Sequence, residues 1–262
     1  MKFLSIIAGI FIFSLPAQAK IDVKKVEYKD GETVLEGLLV THKKHLRAKK
    51  KHPAVLVVHN WMGPGESTLA RAKQLAEMGY VAFVADIYGQ GVRPQNVKEA
   101  SAQAGRYRSN ERKEMRSRAQ AAFDTVSKNV SVDPNRISAI GYCFGGMVVL
   151  EMARMGLPLT GVVGFHGGLS SVSAEDAKNI KSQVLILHGA IDPYVPMEEV
   201  NQFQKEMNAA NVNYEFVAYS GAVHAFSEKE AGDDMKTGAA YNEQADRRSF
   251  IAMTNFLKEV NK

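Results

Sequence analysis

Seven short apolar runs, rich in β-branched residues, recur along this chain: Val34–Val40, Ala54–Val58, Val81–Ala85, Ile137–Ile140, Gly161–Phe165, Val184–Leu187 and Tyr214–Tyr219. Most lack the polar alternation of a strand with one wet face, so they read as strands buried on both faces of a parallel sheet. Helical patterns lie between them. Thr68–Met78 has Ser67 as a candidate N-cap and Gly79 as a C′ glycine, and Met147–Met155 stops at Gly156. Glu111–Lys128 stops before an Asp133-Pro134 turn, and Met197–Asn208 and Asp246–Val260 complete the series. No repeat and no Pro/Gly/Ser-rich linker divides the chain. The expected fold is α/β: one domain with a mostly parallel, doubly wound central sheet flanked by helices. In such sheets the ligand site lies at the carboxyl ends of the strands.

The 262 residues include one cysteine, which excludes a disulfide scaffold, and an apolar fraction of 45% is ample for a packed core. The net charge of +5 is concentrated in His42–His52, where six of eleven residues are Lys or Arg. That run reads as a solvated loop between strands, or else as a patch for anionic surfaces. It has no interleaved aromatics, so no nucleic-acid partner is expected. At the N-terminus, Lys2, the apolar Phe3–Leu15 and the small-x-small Ala17-Gln18-Ala19 form the three parts of a secretory signal. The expectation is a signal peptide over residues 1–19, cleavage after Ala19, and a domain of residues 20–262 exported to the periplasm or secreted. The alternative is a buried N-terminal helix. The apolar run is shorter than the roughly 18 residues of a membrane span, and none is expected.

The most informative stretch is Ile137-Ser138-Ala139-Ile140-Gly141-Tyr142-Cys143-Phe144-Gly145-Gly146, an apolar strand, then Gly-x-Cys-x-Gly-Gly, then a helix. A nucleophile elbow sets a reactive side chain on a sharp strand-to-helix turn, with glycines two residues before and after it where backbones approach closely. Cys143 holds the nucleophile's place, where the helix dipole favours thiolate. The plain alternative is a buried packing cysteine. On this kind of fold the chain order is nucleophile, acid, histidine. Asp192 follows the Val184–Leu187 strand and His224 follows Tyr214–Tyr219, so these are the candidate acid and base; the alternatives are a turn residue and a structural histidine. Oxyanion donors are expected at the backbone N–H of Phe144 and of Trp61, in the loop after Ala54–Val58. Trp61 can also serve as core packing.

These residues resemble the dienelactone hydrolase family of α/β hydrolases, from about Glu36 to Leu257. The likeness is carried by His59-Asn60-Trp61-Met62-Gly63, Ala85-Asp86-Ile87-Tyr88-Gly89, Gly141-Tyr142-Cys143-Phe144-Gly145-Gly146, His188-Gly189-Ala190-Ile191-Asp192-Pro193 and Ala222-Val223-His224-Ala225-Phe226. It implies the α/β-hydrolase fold, a Cys143–His224–Asp192 triad, and hydrolysis of a small ester or lactone through a thioester. It implies no cofactor and no metal, and it leaves the oligomeric state open. Asn60, Tyr88 and His166 are candidate substrate contacts. Well-studied members carry a glutamate at the place of Asn60, interacting with the resting cysteine, and an arginine where Gln90 stands, with Arg93 nearby. With Asn60 there, no negative charge is expected beside Cys143. Two other classes compete. A non-catalytic or redox-sensitive thiol protein on an inactivated hydrolase fold would show no turnover and a misplaced His224. A metal site could draw on His59, His166, His188 and Asp86, although no pair among them has zinc-type spacing.

Overall fold

The computed structural model describes residues 21–46 and 50–262. The expected signal segment and Arg47–Lys49 of the basic run lie outside the described residues. Eight strands form one sheet: β1 (Ile21–Asp30), β2 (Thr33–His42), β3 (His52–Val58), β4 (Val81–Ala85), β5 (Val132–Tyr142), β6 (Gly161–Phe165), β7 (Gln183–Gly189) and β8 (Tyr214–Tyr219). Their spatial order is β1-β2-β4-β3-β5-β6-β7-β8. β3 to β8 pair in parallel, while β1 pairs with β2, and β2 with β4, in antiparallel fashion. This is the α/β-hydrolase arrangement expected from the sequence.

Six helices cover the two faces: α1 (Glu66–Glu77), α2 (Val97–Arg108), α3 (Lys113–Ser127), α4 (Phe144–Arg154), α5 (Met197–Ala209) and α6 (Glu243–Val260). Alternate residues of a strand point to opposite faces, so each central strand feeds two apolar layers. Leu56, Val58, Phe83, Ala139 and Val162 pack with Phe144, Val148 and Met152 of α4 and with α3. Val55, Val57, Val84, Ile140, Val163, Leu185 and Leu187 pack with Ala72 and Leu75 of α1 and with Met253 and Leu257 of α6.

The chain adds β1 and α2 to the elements expected from the sequence. β1 reads Ile-Asp-Val-Lys-Lys-Val-Glu-Tyr-Lys-Asp and is mostly exposed at the sheet edge. α2 buries only Ala100, Ala104 and Tyr107, a stripe too thin to show as a strong apolar period. Two boundaries are corrected. α1 is capped by Gly65, not Ser67, and no side chain bonds its first turn. Asp133-Pro134 lies inside β5, where the ladder with β3 shifts register between His52 and Ala54, so proline's missing N–H falls where pairing is already interrupted.

Candidate active site

Cys143 is the single residue between β5 and α4, and its backbone has φ 52° and ψ −112°. A non-glycine residue at positive φ is held there by its surroundings. The Cys143 N–H donates to the Phe165 carbonyl at 3.0 Å, and the Gly146 N–H donates back to the Cys143 carbonyl at 3.0 Å. The flanking glycines answer a steric demand. A Cβ on Gly141 would lie 2.0 Å from the Gly145 carbonyl oxygen, and one on Gly145 would lie 2.4 Å from the Val58 carbonyl oxygen. The elbow is therefore wedged against the end of β3, where the Trp61 loop begins.

His224 sits on the loop after β8, and its main chain is fixed by bonds from its N–H to Gly238 O and from the Ala240 N–H to its own carbonyl. Its Nδ1–H donates to Oδ2 of Asp192 at 2.8 Å. The other carboxylate oxygen of Asp192 accepts the Tyr194 N–H at 2.8 Å, and the Asp192 side chain is fully buried. The Cys143 sulfur is the other group that acts on the His224 ring. Burial opposes charging of this imidazole, but the Cys143 sulfur and the Asp192 carboxylate outweigh it and raise His224 to about 10. The structure thus brings Cys143, His224 and Asp192 together, each from the carboxyl end of a different strand.

The oxyanion candidates sit at the first residue of α4 and in the loop after β3. His59 donates from Nδ1 to the Asn60 carbonyl at 2.6 Å, and the Gly63 N–H reaches the same oxygen at 3.2 Å. Because the 60–61 peptide is planar and trans, pinning that carbonyl turns the Trp61 N–H to the opposite side. The Tyr88 hydroxyl donates to the Trp61 carbonyl at 2.9 Å and fixes the next peptide as well. Among the described residues neither the Trp61 nor the Phe144 N–H has a protein acceptor.

The three candidate substrate contacts are engaged with protein partners. Tyr88 is buried, spends its hydroxyl on Trp61, and stacks on Tyr107 and tilts against Phe144. His166 is fully buried at φ 38°; its Nε2 meets the Ser227 hydroxyl at 2.8 Å and its ring abuts His224 edge-on. Burial pushes the His166 imidazole well below its ordinary value, so it is a neutral wall behind the base. Asn60 accepts the Met62 N–H at Oδ1, 2.9 Å, and its Nδ2 donates to Oε1 of Glu228 at 2.7 Å.

Glu228 was not visible as a site residue in the sequence. It lies four residues after His224, and no motif or spacing marks it. The Asn60 amide thus reaches a carboxyl carried on the His224 loop. Burial raises Glu228 to about 7, against the pull of Asn60, His224 and Arg71. Gln90 bonds Glu27 at the surface, and Arg93 donates to the Gly89 and Val92 carbonyls.

Of the residues considered for a metal, His59 and Asp86 tie the scaffold together. His59 accepts the Ile87 N–H at Nε2, 3.2 Å, and burial lowers it to about 4. Asp86 accepts the N–H groups of Glu36, Tyr88 and Gly89. His188 lies against Phe216. Among the described residues no group of three or more His, Cys, Asp or Glu side chains is placed to hold a metal ion.

Residues 35–261 match the model of the family described as "Dienelactone hydrolase family". A dienelactone hydrolase-like promiscuous phosphotriesterase from metagenomic libraries, known by its crystal structure, is 35% identical; the match covers 92% of this chain and 99% of that one, with a TM-score of 0.87. A second solved structure, m3DLH, is 33% identical with the same coverage and the same TM-score of 0.87. A carboxymethylenebutenolidase homolog of Mus musculus is 29% identical over 121 residues, 46% of this chain and 48% of that protein.

Proposed function

The chain belongs to the dienelactone hydrolase family, and from that premise we propose that it hydrolyses a small ester or lactone through a Cys143–His224–Asp192 triad. The observation that carries the reading is the His224 ring, bonded to the buried Asp192 carboxylate and under the charge of the Cys143 sulfur. An imidazole that holds the thiol proton makes the sulfur an activated nucleophile.

The steps follow from that geometry. The Cys143 sulfur attacks the carbonyl carbon, and the carbonyl π electrons move to oxygen. The resulting oxyanion is received by the Trp61 and Phe144 N–H groups, which are already oriented and free of protein acceptors. Collapse breaks the bond to the leaving oxygen, which takes the proton from His224, and a thioester remains on Cys143. His224, now neutral, removes a proton from water; the hydroxide attacks the thioester, and the acid leaves while the sulfur regains its place beside the imidazolium. Asp192 keeps the ring in the tautomer that presents Nε2 to the sulfur throughout.

The test is turnover of a small activated ester. Cys143→Ala is expected to lose roughly 10³-fold or more in kcat while retaining the wild-type circular-dichroism spectrum. Brief mixing of wild-type protein with a slow ester should add the acyl mass to the peptide bearing Cys143. Undiminished activity in the alanine variant would overturn the reading.

A further inference from the structure

We propose that Glu228, held by Asn60 against the oxyanion loop, makes this site select esters and lactones with an uncharged acyl part and reject those carrying a carboxylate there. The proposal rests on the hydrolase reading above and names its substrate class.

The carboxyl group is held in place from several directions. Asn60 cannot flip its amide without losing both bonds, since Oδ1 already accepts the Met62 N–H and only Nδ2 can face Glu228. The turn that carries Glu228 is fixed on its own side too. The Glu228 N–H donates to the Ala225 carbonyl, the Ser227 hydroxyl meets His166, and the Ser227 carbonyl accepts from Arg71. Glu228 thus bridges the loop bearing His224 to the residue before Trp61, and so to the loop against which the acyl group is held in the proposed reaction.

The charges around it add up to a negative site. Beyond the paired Arg71 and Asp246, the Asp192 and ionised Glu228 carboxylates stand against the single imidazolium of His224. The arginines that border these loops are committed elsewhere. Arg71 pairs with Asp246 and the Ser227 carbonyl, and Arg93 bonds the Gly89 and Val92 carbonyls. A second carboxylate arriving with the substrate would meet Glu228 at short range without a free cation. At an effective dielectric of about 20 and a separation of about 7 Å, that repulsion is worth a discrimination on the order of 10-fold to 50-fold.

The selectivity is expected to depend on pH. Burial raises Glu228 to about 7, with Glu230 adding to the rise and Asn60, His224 and Arg71 opposing it, while Tyr142 also faces it. Its charge, and with it the rejection of anions, grows between about pH 6 and pH 8.

The experiment compares two esters with the same 4-nitrophenol leaving group and acyl chains of equal length: 4-nitrophenyl pentanoate and mono-4-nitrophenyl glutarate. The readout is the ratio of their kcat/KM values, each divided by the rate of hydroxide hydrolysis, so a general loss of activity or of folded protein cancels. Wild-type protein should prefer the neutral ester at least 10-fold at pH 8, with a ratio several-fold smaller at pH 6. Glu228→Gln should shrink the pH 8 ratio several-fold and flatten its pH dependence. A wild-type ratio near one, a ratio that does not change with pH, or a ratio unaltered by Glu228→Gln would overturn the proposal. Failure of the underlying reading looks different: neither ester would turn over, or Cys143→Ala would hydrolyse the neutral ester as fast as wild type.

Discussion

At the scale of single residues, Glu228 carries the most consequence for its cost. A carboxyl held at about 7 in the folded protein, against an ordinary value of 4.5, keeps its proton where the unfolded chain has already given it up. The folded state therefore binds more protons between those values, and stability falls as pH rises from about 4.5 to about 7 and remains lower above. The rise from 4.5 to about 7 means that ionised Glu228 weakens the fold by about 3 kcal/mol at pH 8. Glu228→Gln, which keeps an oxygen for Asn60, is expected to raise Tm relative to wild type at pH 8 and to change it little at pH 5. Equal Tm differences at the two pH values would contradict this account. The same residue marks where reading the chain runs out. Cys143, Asp192 and His224 each announce themselves through glycines or strand ends nearby in sequence. Asn60 and Glu228 are 168 positions apart and meet only because two loops fold onto one strand edge.

At the scale of elements, the elbow is governed by close packing of backbone against backbone. Gly145 faces the Val58 and His59 carbonyl oxygens at distances that no real Cβ tolerates, and those atoms belong to a central strand that cannot retreat. Gly145→Ala is therefore expected to push α4 away from β3, with a destabilisation of about 2 kcal/mol or more and loss of the Phe144 donor's alignment. The measurement is urea unfolding together with esterase activity; a variant of wild-type stability and activity would show that α4 is free to shift. The glycines were legible because the motif fixes them by spacing. β1 and α2 were not, for opposite reasons. β1 places lysines and a glutamate along an exposed edge, which discourages pairing with other chains but erases the apolar signature of a strand. α2 carries a capping signal, Asn96 accepting the Glu99 N–H, but its buried stripe of two alanines and a tyrosine is slight. Tertiary packing, not amphipathicity, makes it a helix.

At the scale of the whole molecule, the parallel core from β3 to β8 could be read from runs of buried β-branched residues, while the strand order, with β4 beside β3 on the side away from β5, could not. The antiparallel β1–β2 hairpin at one edge could not, because nothing local distinguishes a hairpin strand from the next parallel one. Beneath the sheet, Glu151 is fully buried and receives Arg112, Arg116 and Arg154, which also reach Ser170, Asp176 and Glu206. This network binds α3, α4 and α5 to one another on the face away from the His224 loop. The positive φ values of Asn110, Glu111 and Arg112 are the local distortion that delivers Arg112 into it.

β8 is the outermost strand at its end of the sheet, and most of its residues are only half covered. The proposed base, His224, hangs from that strand, while the proposed nucleophile, Cys143, hangs from β5, deep in the middle. Marginal strands open and reclose more often than central ones, at a free-energy cost below that of global unfolding. The catalytic unit should therefore come apart by fraying at its rim long before its centre melts. In a urea titration, ester hydrolysis is expected to disappear at a lower concentration than the far-ultraviolet helical signal, and amide hydrogens of β8 should exchange faster than those of β3 and β5. Coincident loss of activity and helical signal would mean that the rim and the centre open as one cooperative unit.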